Sequence, residues 1–198
     1  MGKVILAGAG PGDTGLLTLK AYKYIREADC LVYDRLMSPK LLELARTDCE
    51  LIYVGKENHK HVVNQDGINE ILFQKSKQHE LVLRLKGGDP YVFGRGGEEA
   101  HYLTERGVSV ELVPGVSSSI AALADAGIPI THRGVAKGFQ VITAHSRKDE
   151  EADIDYSLLT DETITCVFLM GLQNVESIAA GLMRAGRRDD TPIAVISN

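Results

Sequence analysis

The chain reads as an α/β protein of two α/β domains, the first built on a mostly parallel five-stranded sheet and the second on a smaller, mixed sheet. Short apolar runs alternate with amphipathic helical patterns over the first half, as layered α/β folds require. Glycine-rich turns follow the first and fourth apolar runs, at the strand ends where open sheets bind ligands. Val113-Pro114-Gly115 then breaks the alternation, which puts the domains at 1–113 and 114–198.

Strands are expected at 4–7, 31–33, 51–54, 81–85 and 108–113. Between them, Thr18 can cap a helix over 19–28 whose Ala21, Ile25 and Ala28 share one face. Ser38 followed by Pro39 reads as an N-cap and first helical residue, opening 40–46. Asn64 can cap a helix running to Lys77, with Ile68, Ile71 and Leu72 turned inward. A helix over 97–106 follows the second glycine loop and stops at Gly107. Beyond the break come a helix (117–126), strands at 140–143 and 164–170, a helix (175–185) and a last strand (193–197). Helical crossovers are fewer per strand there, hence the mixed sheet. Residues 148–155 read as a charged, solvated loop, and a strand ending flush with Asn198 reads as a chain cut short.

Bulk properties narrow the function. The 198 residues suffice for a large core, and 44% apolar with 25% charged residues is ordinary for a globular protein. A net charge of −5 and the absence of Trp disfavour a nucleic-acid partner. Cys30, Cys49 and Cys166 lack CxxC spacing and read as core thiols in a reducing compartment. Met1–Leu6 enters a strand directly, without a signal-peptide pattern, and no apolar run nears the roughly 20 residues a membrane span needs. A cytoplasmic protein without a membrane partner is expected.

The segment from Gly87 to Gly97 holds five glycines, with Asp89 and Arg95 beside them. A glycine pair at a strand's end turns the chain sharply and lets a ligand approach the main chain. The first loop, Gly8-Ala9-Gly10-Pro11-Gly12-Asp13, fails as a dinucleotide fingerprint because Asp13 stands where the third glycine belongs. It also lacks the Gly-Lys-Ser/Thr of a Walker motif, which leaves a stiff turn at the crevice edge. Tyr33-Asp34-Arg35 ends the second strand; Asp34 could hold a ribose, act as a base or simply close a surface turn. Lys56 follows the third strand, so Asp34, Arg35, Lys56 and Asp89 converge on one rim. Ser117, Ser118 and Ser119 open a helix, as caps or as ligand donors. His132 and Arg133 sit in a polar turn, Met170 ends a strand with core packing as its default role, and His59 with His61 lacks a third metal ligand nearby.

Together these segments resemble the tetrapyrrole methylase family: VILAGAGPGDTGLLT (4–18), VYDRL (32–36), VGK (54–56), RLKGGDPYVFGRGGEE (84–99), VPGVS (113–117), GIPITHR (127–133) and FLMGL (168–172). They run in the family's order over nearly the whole chain. The resemblance implies a methyltransferase that binds S-adenosylmethionine in a cleft between the two domains and releases S-adenosylhomocysteine, with chemistry that demands no metal. YDRL and VGK narrow the implied substrate to uroporphyrinogen III, methylated twice to precorrin-2. A later corrin intermediate, a diphthamide-precursor protein, or ligand binding without turnover are the alternatives. Position by position, the implied cofactor contacts are Pro11, Gly87, Gly88, Asp89, Val92, Ser117, Ser118 and Met170. Asp34 is the implied proton acceptor and Lys56 the implied proton donor. Arg35, Lys56, Arg95, His132, Arg133 and Lys137 are cations suited to a substrate with eight carboxylates. Family members are typically homodimers and continue past residue 198 with a glycine-containing loop.

Overall fold

The computed structural model describes residues 1–55, 63–144 and 153–197. They form two compact units, Met1–Ser118 and Ser119–Asn198. The first unit is a five-stranded sheet in which every pair is parallel, in the order β3-β2-β4-β1-β5. Its strands are β1 (Lys3–Gly8), β2 (Cys30–Tyr33), β3 (Glu50–Tyr53), β4 (Leu81–Lys86) and β5 (Ser109–Val113). Three helices cover it: α1 (Leu19–Glu27), α2 (Gln65–Ser76) and α3 (Gly96–Thr104). Thr18 and Asn64 cap α1 and α2 as expected, their side chains accepting from the Ala21 and Gly67 amides. Ser38 makes no such bond, and Pro39–Leu44 closes as a 3₁₀ segment where a longer helix was expected.

Strand alternation sorts the core into two layers. Ile5, Ala7, Leu31, Leu83 and Leu85 pack with Ala21 and Ile25 of α1 on one face. Val4, Leu6, Val32 and Val82 pack with Ile68 and Leu72 of α2 and Leu103 of α3 on the other. The chain therefore leaves β1 toward one face and leaves the adjacent β4 toward the opposite face. Loops that part this way open a crevice at the carboxyl ends of the strands.

In the second unit, α4 (Ser118–Asp125) begins at the boundary residue, and β6 (Gly138–Thr143), β7 (Ile164–Leu169) and α5 (Val175–Ala185) follow. The sheet here is a parallel pair, β6 with β7, not the mixed sheet expected from sequence. Arg187 secures its edge by donating from Nη1 to the Leu159 and Asp161 carbonyls at 2.9 Å. Residues 193–197 form no strand: they find no pairing partner among the described residues, and Ile193 and Val195 stay exposed. The charged stretch 148–155 lies largely outside the described residues, and so do Lys56, His59 and His61. No helix among the described residues is long and apolar enough to cross a membrane.

Candidate functional site

A parallel sheet delivers every strand's carboxyl end to one edge, so the loops after β1, β2, β4 and β5 meet there. Gly10 and Gly88 pair as an antiparallel bridge, with the Gly88 amide donating to the Gly10 carbonyl at 2.7 Å. This brings the Pro11 turn against Gly88 and Asp89. Gly115, from the loop after β5, packs on the same pair. A Cβ on Gly115 would stand 2.6 Å from the Gly8 Cα and closer still to the Gly88 carbonyl oxygen. Three backbones thus touch where no side chain fits.

Asp89 ties the knot. Its Oδ2 accepts from the Gly115 amide at 2.9 Å, and its Oδ1 accepts from the Tyr91 amide at 2.8 Å. Because Asp89 and the glycine contacts hold it, the Pro114-Gly115 turn stays with the first unit, and the compact units divide after Ser118 although the sequence pattern breaks at Val113. The two glycines of the β4 loop differ in role. At Gly87 a Cβ would meet the Leu36 Cβ at 2.7 Å and the Leu36 carbonyl oxygen at 2.9 Å, so the space it spares belongs to the turn after β2. At Gly88, with φ of +64°, the nearest atom to a Cβ is the Ser117 Cα at 4.0 Å. That leaves the main chain at Gly88 open to the approach of a ligand.

Asp34 lies on this edge, its side chain 21% exposed. Oδ1 accepts from the Leu36 amide at 3.0 Å, and Oδ2 accepts from Arg84 Nη2 at 3.0 Å. Arg35 is exposed, with no partner among the described residues. Arg95 is already engaged: its Nε and Nη2 grip Glu98 at 2.9 and 2.7 Å. Phe93 and Arg95 take left-handed backbone at φ of 53° and 58°, while Tyr91, Val92 and Phe93 are exposed. Non-glycine residues held in this region cost of order 1 kcal/mol or more each and gather at ligand loops.

Sequence reasoning missed the charges beneath the edge. Arg84 and Lys86 alternate with leucines in β4, face α3, and are 2% and 5% exposed. Both converge on Glu99 of α3, which is fully buried: Lys86 Nζ to Oε1 is 2.8 Å and Arg84 Nε to Oε1 is 3.3 Å. Burial, and then the Arg84 guanidinium, pull the Lys86 ammonium below its ordinary pKa, against the Glu99 carboxylate. The available signal was period two: two cations on one face of a strand otherwise read as buried.

The remaining candidates belong to the second unit, apart from Ser117 and Ser118, which are half-buried beside Gly88 and at the start of α4. Met170 follows β7 with φ of 59° and is 57% exposed, which overrides core packing as its default role. His132 Nδ1 lies 3.0 Å from the Arg133 carbonyl, in a turn where both residues are exposed. Lys137 pairs with Asp161 at 3.5 Å. At the opposite edge of the first sheet, Cys30, Glu50 and His79 bring possible metal ligands within 4.8 Å. There the Glu50 carboxylate is matched by Lys75 at 2.6 Å and His79 at 2.8 Å, and burial pushes the Cys30 thiol up to about 12.

The sequence profile of the tetrapyrrole (corrin/porphyrin) methylases matches residues 3–198. Over 197 residues the chain is 51% identical to a uroporphyrinogen-III C-methyltransferase of Methanocaldococcus jannaschii, covering 98% of this chain and 81% of that protein. It is 47% identical to siroheme synthase 2 of Yersinia enterocolitica, covering 100% of this chain but only 41% of that longer protein. Among solved structures, uroporphyrin-III C-methyltransferase from Thermus thermophilus, complexed with S-adenyl homocysteine, is similar at a TM-score of 0.80 and 44% identity. That match covers 94% of this chain and 74% of the Thermus chain.

Proposed function

The chain belongs to the tetrapyrrole methylase family, and on that premise we propose that it transfers methyl groups from S-adenosylmethionine to uroporphyrinogen III, twice, giving precorrin-2 for sirohaem and cobalamin synthesis. The observation that carries this reading is the junction of Gly8, Gly88 and Gly115, with main chain open beside Gly88 at the crevice edge. When bound, S-adenosylmethionine supplies an electrophilic sulfonium methyl. Pro11, Gly88, Asp89, Val92, Ser117 and Ser118 hold it against the glycine loops. Gly87 serves by letting the Asp34 turn close in, and the family resemblance adds Met170 to the donor's contacts.

Attack of a substituted pyrrole carbon on the methyl group leaves an iminium-like ring, which must lose a proton to restore neutrality. Asp34 accepts that proton on a carboxylate oxygen, each of whose fixed bonds leaves a lone pair free. Lys56 is the proton donor that the family resemblance implies. The family resemblance offers Arg35, Arg95, His132 and Arg133 to the substrate carboxylates; for Arg95 this requires sharing its guanidinium with Glu98. The assignment of a homodimeric, cytoplasmic enzyme without nucleic acid or membrane partners rests on the family and on the net charge of −5.

Methyl transfer from isotopically labelled donor tests the reading. Label should pass to uroporphyrinogen III. Transfer only to a later corrin, or binding of S-adenosylhomocysteine without any transfer, would select an alternative. Asp34→Ala should lower turnover by about 10²-fold or more while keeping S-adenosylhomocysteine affinity; a wild-type rate would end the base assignment.

A further inference from the structure

Beneath Asp34 four charged side chains form one chain of contacts: Asp34 to Arg84, Arg84 to Glu99, and Glu99 to Lys86. Arg84 is fixed at three points, because its Nη1 also donates to the Leu85 carbonyl at 3.1 Å. Each anchor removes a rotation, and a guanidinium is rigid and planar. The orientation it presents to Asp34 is therefore set from behind. Gln65 completes the set from α2, its amide donating to Asn69 at 2.9 Å and to Glu99 Oε1 at 3.3 Å. The three bonds to Glu99, from Arg84, Lys86 and Gln65, all fall on Oε1; Oε2 is buried without a hydrogen-bond partner among the described residues.

Stability does not explain this arrangement. A buried ion cluster costs several kcal/mol of desolvation per charge, and apolar residues of like volume are often as stable or more so. A carboxylate with one oxygen unsatisfied is a further expense. What Glu99 does accomplish is geometric. It stands on α3, a different element from the Asp34 turn and from β4, so it locks Arg84 to the rigid layer below the crevice.

We infer that Glu99 is a positioning residue for Asp34, acting through Arg84. This rests on the reading of Asp34 as the proton acceptor. Without the Glu99 anchor, Arg84 keeps only its bonds to the Leu85 carbonyl and to Asp34 itself, and the Asp34 carboxylate loses its fixed aim while the glycine loops stay in place.

A cycle of four proteins decides the matter: wild type, Glu99→Gln, Asp34→Ala and the double variant, each assayed for methyl transfer, S-adenosylhomocysteine affinity and melting temperature. Glu99→Gln should lower kcat on the order of tenfold, with affinity changed less than about twofold. In the Asp34→Ala background the same substitution should change the rate by less than about twofold, since nothing is left to aim. A merely structural Glu99 would lower the rate equally in both backgrounds, or lose affinity in parallel, and either result overturns the inference. Slow Asp34→Ala with fast Glu99→Gln overturns it alone, whereas fast Asp34→Ala overturns the base reading and the inference together. If Glu99→Gln does not fold, Arg84→Lys takes its place in the cycle: it keeps the cation but loses the fork.

Discussion

Replacing Gly115 by Ala puts one methyl group into the junction of three loops. Its Cβ would lie 2.6 Å from the Gly8 Cα, and apolar carbons rest at about 3.5 Å or more, so the backbones must part by about 1 Å. Neither neighbour is a flexible side-chain tip; both are main chain anchored in β1 and β4. Overpacking of this kind costs roughly 1–3 kcal/mol, and the rigid surroundings favour the upper end. At about 3 kcal/mol, a chain of this size loses roughly 6–12 °C in melting temperature. The displaced Gly115 amide also lengthens its bond to Asp89, so S-adenosylhomocysteine affinity should fall on the order of tenfold or more. Gly97→Ala is the matched control: it lies in α3, nothing stands within 4 Å of its Cβ, and it should stabilise by about 0.5–1 kcal/mol. Thermal melts and calorimetric titration with S-adenosylhomocysteine measure both quantities. A Gly115→Ala protein as stable and as tight-binding as wild type would refute the close contact of the three loops.

Gly87→Ala should act on the neighbouring turn. Its Cβ would press on Leu36, two residues from Asp34, so kcat should fall on the order of tenfold or more while S-adenosylhomocysteine still binds; an unchanged kcat, or loss of binding, would contradict this. Glu111 of β5 is held down to about 2, chiefly by Lys20 and Lys3, with Tyr24 adding a hydrogen bond, so it joins β1, β5 and α1. A carboxyl depressed in the fold adds stability above its unfolded pKa near 4.5, and that contribution fades as pH falls toward 2. Glu111→Gln should therefore cost about 1 kcal/mol near pH 7, after screening, and almost nothing near pH 2. Urea melts across that range give the comparison, and a gap that widens toward low pH would reverse the assignment.

Local chemistry was legible in the residues themselves. Thr18 and Asn64 capped helices because an N-cap needs only its own side chain and an amide two or three residues on. Parallel order in the first sheet followed from the alternation of apolar runs and helices, and with it the gathering of Gly10, Asp34 and Asp89 on one edge. Among the described residues the second sheet is a parallel pair and 193–197 forms no strand, and both depart from expectation for a shared reason. Pairing is a property of two segments, and an apolar run does not declare its partner. The division of labour between Gly87 and Gly88 was equally hidden, since it depends on where Leu36 and Ser117 stand. So was the Arg84–Glu99–Lys86 cluster, because Arg84 and Glu99 are fifteen residues apart and meet only when α3 docks on β4. Sequence by itself thus determined which segments turn, cap and alternate, these being short-range steric and hydrogen-bonding preferences. Only the tertiary structure decided which glycine a neighbouring turn crowds and which charges share a buried site, since both depend on contacts between segments distant along the chain.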